Sequence, residues 1–162
     1  MAENELFTKE VIDRLNFWLN KYPPEGRASA IIPGLHVLQD DNGGYLTMEL
    51  MNRLAQFLDV PPASVYEVAT FYSMYSLEPV GRHKVNVCTN VSCMLNGANK
   101  IMQHIENRLG IKKGQTTEDG RITLREVECQ GACCGAPMLE VDKVFHENLT
   151  IEAVDRILDN LE

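Results

Sequence analysis

Hydrophobic residues in the first half of the chain recur about every 3.6 residues, which is the period of an amphipathic helix. The first series follows Thr8, a residue suited to an N-cap, and stops at KYPPEGR. The second surrounds Pro33, which can kink a helix or stand in its first turn, and ends at DDNGG. The third opens at Thr47, and the fourth begins with Pro62 in its first turn and runs to about Phe71. These series predict a small helical bundle.

The pattern changes in the second half. Val85 and Val87 alternate with polar residues in KVNVC, which predicts a strand. A helical stripe follows that Gly110 can end, and RITLREVEC and MLEVDK are typical of two short strands. Thr150 is the predicted N-cap of a last helix. The order strand, helix, strand, strand, helix indicates a small sheet covered by helices.

Together the two patterns predict an α+β chain of two domains, a helical domain at 1–78 and a sheet domain at 79–162. The chain has 162 residues, of which 44% are hydrophobic and 23% charged, as in folded soluble proteins. No apolar run approaches the roughly 20 residues of a membrane-spanning helix, so direct membrane insertion is not expected. The beginning, MAENELFTKE, lacks the basic and apolar regions of a secretory signal, so we expect a cytoplasmic protein.

The net charge of −8 argues against two kinds of partner. Nucleic acids and anionic membrane surfaces would both repel such a chain. No GxGxxG motif follows a predicted strand, and no phosphate-binding loop is present. The sequence therefore offers no nucleotide site of its own.

All five cysteines lie in the second half of the chain. Cys88 and Cys93 are separated by four residues in CTNVSC, and Cys129 and Cys133 by three in CQGACCGAP, where Cys134 follows directly. An odd number of cysteines in a reducing compartment disfavours a disulfide framework and favours metal ligands or redox-active thiols. Because each pair adjoins a predicted strand, we expect the two loops to meet.

Three chemistries fit this spacing. A [2Fe-2S] cluster needs two thiolates on each iron, which suits two pairs on two loops, and small residues between the cysteines would let backbone N–H groups point at the sulfurs. A four-cysteine zinc site accepts the same spacing, so zinc remains an alternative. A thioredoxin-type CxxC is absent, which disfavours a redox-active dithiol. The spacing leaves either Cys133 or Cys134 as the fourth ligand.

One aromatic stretch, SVYEVATFYSMY, has two interpretations. Its large side chains can pack in a core that joins the two predicted domains, which is the more usual outcome, or form a surface that faces a partner. The residues concerned are Tyr66, Phe71, Tyr72, Met74 and Tyr75.

The combination of VCTNVSCML, VECQGACCGAPM, YEVATFYSMY and PVGRHKVNVC resembles the E subunit of NADH:quinone oxidoreductase, respiratory complex I. The resemblance runs from Tyr22 to the last predicted helix. It implies an N-terminal helical bundle followed by a thioredoxin-like [2Fe-2S] ferredoxin domain. In this family the ligands of the cluster fall on Cys88, Cys93, Cys129 and Cys133.

The resemblance also implies a function and partners. The cluster in this family exchanges single electrons with FMN on a flavin- and NADH-binding partner, so hydride transfer belongs to that partner and no catalytic residue is expected here. Other hydrophilic subunits of complex I are further expected partners, in a peripheral arm on the cytoplasmic face of the inner membrane. The alternative is a diaphorase-type subunit of an NAD(P)-linked or bifurcating hydrogenase or formate dehydrogenase, which uses the same fold.

Overall fold

The structure is a computed structural model that describes residues 7–161. The chain divides into two compact units, Met1–Pro79 and Val80–Glu162, and each contains its own hydrophobic core. Between residues 7 and 161, no helix combines the length and the hydropathy that crossing a bilayer requires. The expectation about a secretory signal concerns a segment that lies mostly outside the described residues.

From residue 7 onward, the first unit contains four α-helices, as predicted. The N-caps Thr8 and Thr47 hold two of them in place, because their hydroxyls accept hydrogen bonds from the N–H groups of Val11 at 3.3 Å and Leu50 at 3.2 Å. Pro62 is the first residue of the fourth, where its missing N–H costs no helical hydrogen bond. The helices are α1 Lys9–Leu19, α2 Ile31–Asp41, α3 Met48–Leu58 and α4 Pro62–Phe71.

The region around Pro33 follows one of the two predicted alternatives. Pro33 lies in the first turn of α2, where its missing N–H costs no helical hydrogen bond because the first N–H groups of a helix have no helical acceptor. A 3₁₀ helix that the sequence analysis did not predict, Pro24–Ala30, precedes it. Further along α2, a Cβ atom at Gly34 would lie 2.8 Å from Cδ1 of the fully buried Leu54, so glycine permits close packing of α2 against α3.

The aromatic stretch is divided between core and surface. Tyr75 is buried, its hydroxyl donates to the carbonyl of Ile32 at 2.9 Å, and burial raises the pKa of this phenol far above its usual range. Phe71 is 78% exposed, and Tyr72 and Met74 are each 40% exposed. Burial was therefore the right prediction for Tyr75 and the wrong one for Phe71.

The second unit contains a four-stranded mixed sheet, whose strands lie side by side in the order β2-β1-β3-β4. Strands β1 and β2 are parallel, whereas β3 is antiparallel to β1 and to β4. The strands are β1 His83–Cys88, β2 Ile122–Val127, β3 Leu139–Val141 and β4 Val144–His146, and the helices are α5 Val91–Leu95, α6 Ala98–Leu109 and α7 Ile151–Asp159.

Apolar residues of β1, β2 and β3 share a core with α6 and α7. Val85, for example, lies opposite Leu124 of β2 and Val141 of β3, and all three are buried. Gly110 ends α6 with a φ of 67°, and Thr150 caps α7, as predicted. Three short elements were not predicted: β4, α5 and a 3₁₀ turn at Cys133–Gly135.

Candidate metal centre

The parallel pairing of β1 with β2 brings the two cysteine loops to one edge of the sheet. Cys88 is the last residue of β1 and lies opposite Val127, the last residue of β2. Parallel strands end at the same edge, so the loop after Cys88 and the loop that contains Cys129 leave the sheet side by side. This meeting of the loops was predicted.

The first cysteine pair is buried. Cys88 and Cys93 are each 2% exposed and pack with Ala98 and Met138. Cys93 lies on α5, which begins after the N-cap Asn90. Burial and a hydrogen bond with Cys88 raise the pKa of the Cys93 thiol, and a hydrogen bond from the backbone of Met138 opposes this effect.

The second pair is exposed. The Sγ atoms of Cys129 and Cys133 lie 3.3 Å apart, and the backbone N–H of Gly131 donates to the Cys129 sulfur at 3.4 Å. That N–H and the bond with Cys133 lower the pKa of Cys129, while the same sulfur contact raises the pKa of Cys133. Gly131 adopts a φ of 83°, which suits glycine. The expectation that small loop residues turn N–H groups toward the sulfurs holds at this position.

Interactions across the loops connect the two pairs. The pKa of Cys133 is raised mainly by the hydrogen bond with Cys129, and a hydrogen bond from the hydroxyl of Ser92, in the first loop, partly offsets this rise. The charge of Cys133 in turn raises the pKa of Cys93. Within residues 7–161, no hydrogen bond joins the exposed thiol of Cys134 to another cysteine. The two loops that carry the four predicted ligand residues thus leave the same sheet edge, and Cys134 follows Cys133 in the second loop.

Side chains from the end of β2 hold the first loop. The hydroxyl of Thr89 donates to Glu126 at 2.9 Å, and the amide of Asn90 donates to Glu128 at 2.7 Å. Neither glutamate was predicted to contribute to the site. A signal was present, because the predicted strand RITLREVEC places both glutamates, two residues apart, on one face; in the structure β2 ends at Val127, one residue before Glu128.

The donor set suits a [2Fe-2S] cluster. Its four sulfurs form two pairs, and the cluster requires two thiolates on each of its two irons. In the part of the chain that the structure describes, no three His, Cys, Asp or Glu side chains surround a single metal-ion position. A four-cysteine zinc site can use the same donor set, so the metal content has to be measured.

Comparison with known proteins agrees with this geometry. The sequence model of the thioredoxin-like [2Fe-2S] ferredoxin family matches residues 15–162. The E subunit of the NADH-quinone oxidoreductase of Rickettsia felis is 42% identical over 159 residues, which cover 98% of this chain and 95% of that protein. The mitochondrial NADH dehydrogenase [ubiquinone] flavoprotein 2 of Dictyostelium discoideum is 40% identical over 96% of this chain and 63% of that protein.

One solved structure shows the same fold in a larger protein. The crystal structure of an NAD⁺-reducing [NiFe]-hydrogenase in the air-oxidised state matches 79% of this chain with a TM-score of 0.67 at 20% sequence identity. This chain spans 22% of that hydrogenase chain. The α+β fold and the [2Fe-2S] cofactor expected from the sequence are confirmed at the level of the family. The chain belongs to the thioredoxin-like [2Fe-2S] ferredoxins and, among them, to the family of NADH-quinone oxidoreductase E subunits.

Proposed function

We propose that this chain is the electron-transfer subunit of the NADH dehydrogenase module of complex I. In this proposal Cys88, Cys93, Cys129 and Cys133 hold the [2Fe-2S] cluster, which takes up and releases one electron at a time. The units Met1–Pro79 and Val80–Glu162 would be a helical docking domain and a cluster domain.

One observation carries the proposal: two cysteine pairs stand on two loops that leave the same sheet edge, and the sulfurs of the second pair lie 3.3 Å apart. The chain's own residues can do two things there. Gly131 and Ser92 donate hydrogen bonds to sulfurs, which stabilises negative charge on them. The buried pair excludes water from one side, whereas the exposed pair leaves the other side accessible to an electron partner.

The proposed partner is the subunit that binds NADH and FMN. A flavin handles two electrons and this cluster one, so the pair would divide a hydride equivalent into single electrons. Exposed apolar side chains support a docked protein partner, because aromatic residues and Met are enriched at interfaces. Val91, Met94 and Leu95 lie beside the cysteines on α5 and are 59%, 46% and 77% exposed. Phe71 and its neighbours offer a second apolar surface, on the helical unit.

Such a partnership implies a location. The protein would lie in the peripheral arm of the complex, on the cytoplasmic face of the inner membrane, with other hydrophilic subunits as neighbours. In this arrangement the chain needs no contact with lipid, and its net charge of −8 is compatible with that position.

An anaerobic electron paramagnetic resonance spectrum before and after dithionite, with iron, zinc and sulfide analysis, tests the cluster. We expect an oxidised state without signal, a reduced S = 1/2 signal, and equal amounts of iron and acid-labile sulfide. Zinc without sulfide, and no signal, would refute the cluster and with it the electron-transfer function.

Reconstitution with the flavin-bearing subunit tests the partner. NADH should reduce the cluster of this chain only when that subunit and FMN are both present. If dithionite reduces the cluster but NADH does not, even with the FMN-loaded subunit present, the proposed partnership is refuted. The proposal that this chain holds a cluster would still stand.

The alternative, a diaphorase-type subunit of a hydrogenase or formate dehydrogenase, makes a different genetic prediction. The hydrogenase similarity, at 20% identity, shows the fold alone, whereas the relative from Rickettsia felis matches along nearly the whole chain. A gene for a hydrogenase or formate dehydrogenase catalytic subunit next to this one would favour the alternative. Genes for a series of membrane subunits would favour complex I.

A further inference from the structure

Two carboxylates from the end of β2 reach the loop of the first cysteine pair. Glu126 accepts a hydrogen bond from the hydroxyl of Thr89 at 2.9 Å, and Glu128 accepts one from the amide of Asn90 at 2.7 Å. Because Glu128 immediately precedes Cys129, its hydrogen bond connects the first residues of both cysteine loops.

The two carboxylates differ in their electrostatic surroundings. The ammonium group of Lys113 forms an ion pair with Glu126, and this contact, followed by the bond from Thr89, lowers the pKa of Glu126. Glu128 has no ion pair among residues 7–161. Glu128 immediately precedes Cys129 in the chain, and its side chain is exposed. A carboxylate without an ion pair therefore adjoins a proposed ligand residue.

We propose that Glu128 is a positioning residue that ties the two cysteine loops together through Asn90, and that its negative charge lowers the reduction potential of the [2Fe-2S] cluster. The inference rests on the cluster assigned under the proposed function. It concerns a residue outside the four cysteines.

The electrostatic part follows from charge. Reduction adds one electron to a centre that four thiolates already make anionic, and a nearby carboxylate disfavours this addition. Glu128 is exposed, so water and salt screen its effect. The effect should therefore be modest and should shrink as the ionic strength rises.

The positioning part follows from geometry. Asn90 is the N-cap of α5, the short helix that carries Cys93, and its amide is held by Glu128. A five-residue helix has little stability of its own, so such an anchor fixes where Cys93 lies relative to Cys129. Loss of the anchor should loosen the site without removing any sulfur.

Redox titration of the full-length protein, followed by electron paramagnetic resonance, tests the electrostatic part. Glu128→Gln removes the charge but retains an oxygen that can accept from Asn90, and Glu126→Gln is the control that changes the net charge by the same amount. We expect Glu128→Gln to favour the reduced form about threefold, which is about 30 mV for one electron. The shift for Glu126→Gln should be less than half as large, and raising the salt from about 0.05 M to about 1 M should reduce the Glu128→Gln shift by at least half.

Equal shifts for the two glutamine variants, no shift for Glu128→Gln, or a shift that salt leaves unchanged would overturn the electrostatic part. The measured quantity is the midpoint potential, which a purely structural role of Glu128 would not move in a salt-dependent manner.

The rate of cluster loss tests the positioning part. Glu128→Ala removes the acceptor, and Asn90→Ser removes the amide donor while retaining a residue suited to an N-cap. The bleaching of the visible absorption in the presence of a chelator should be at least about threefold faster in both variants, and Glu128→Gln should resemble the wild type. The double variant should lose its cluster no faster than either single variant, because both changes break one bond. Two results would overturn the positioning part. One is a double variant in which the effects of the two substitutions on the bleaching rate multiply, and the other is bleaching of Glu128→Ala at the wild-type rate.

These measurements use the isolated chain and do not depend on the identity of the electron partner. A wild-type protein without iron and sulfide would refute the proposed function. A wild-type protein that holds the cluster and accepts electrons from the flavin subunit, with Glu128 variants that behave like their controls, would refute only the role of Glu128.

Discussion

The Sγ atoms of Cys129 and Cys133 lie 3.3 Å apart in an exposed position, on the opposite loop from a buried pair, Cys88 and Cys93. The site is thus open on one side and enclosed on the other. This asymmetry follows from the fold, because β1 ends in the interior whereas the segment after β2 runs along the surface.

The first prediction distinguishes two adjacent cysteines. Cys133→Ser should abolish or distort the cluster, because its sulfur is the one that contacts Cys129 and Ser92. Cys134→Ser should leave iron content, sulfide content and the reduced spectrum as in the wild type. An intact spectrum in Cys133→Ser together with a lost one in Cys134→Ser would transfer the ligand role to Cys134.

A second prediction concerns the hydroxyl that connects the loops. Ser92→Ala removes a hydrogen bond to the Cys133 sulfur, and such bonds stabilise the more negative, reduced state. One hydrogen bond is worth about 1 kcal/mol, so the midpoint potential should fall by about 40 mV. Redox titration measures this, with Ser92→Thr as a control that retains a hydroxyl. A potential that stays the same or rises in Ser92→Ala would contradict the role of this hydrogen bond.

The third prediction separates the two units. A fragment of residues 80–162 contains the sheet core and all five cysteines, so it should fold and hold the cluster with the wild-type spectrum. It lacks the exposed surface around Phe71, and its binding to the flavin subunit in a pull-down should be weaker than that of the full chain. Unchanged binding would remove docking from the helical unit.

A fourth prediction uses the contact between α6 and α7. Asp155 accepts hydrogen bonds from His104 at 2.7 Å and from Arg108 at 2.9 Å. The pKa of Asp155 is lowered in the folded protein, mainly by the hydrogen bond with His104. A lowered pKa means that the ionised carboxylate stabilises the folded state. This contribution is complete above the ordinary Asp pKa of about 3.9 and is lost as the pH falls through the lower, folded-state pKa.

Asp155→Asn should therefore lower the thermal unfolding midpoint at pH 7 by at most a few degrees, because Asp155 is accessible to solvent. The difference from the wild type should shrink below about pH 4 and vanish in stronger acid. Asp13→Asn, on the exposed side of α1, is the control that should change little. A difference that persists unchanged in acid would mean that the carboxylate charge is not its cause.

Local sequence signals located most of the helices. Thr8, Thr47 and Thr150 cap helices as predicted, Pro62 begins α4, and Gly110 ends α6. These signals work because a cap or a proline acts on the backbone within one turn of itself. Strand β4 and helix α5 were not predicted, because each contains too few residues to show a hydrophobic period.

Local signals could not decide which large side chains would be buried. Tyr75 and Phe71 lie in one aromatic stretch, yet Tyr75 is 4% exposed and Phe71 78%. Tyr75 can be buried because its hydroxyl donates a hydrogen bond to the carbonyl of Ile32, 43 residues away in sequence. Contacts at such distances in sequence carry no periodic signature.

The sequence by itself limited the ligands to two thiolate pairs and left a [2Fe-2S] cluster and a zinc site both open, because both accept this cysteine spacing. Only the tertiary structure decided that one pair is buried and the other exposed, and that Glu128 and Ser92 reach across the loops. The reason is physical: spacing fixes what a short loop can hold, whereas the parallel pairing of β1 with β2, between residues about 40 positions apart, fixes which loops face each other.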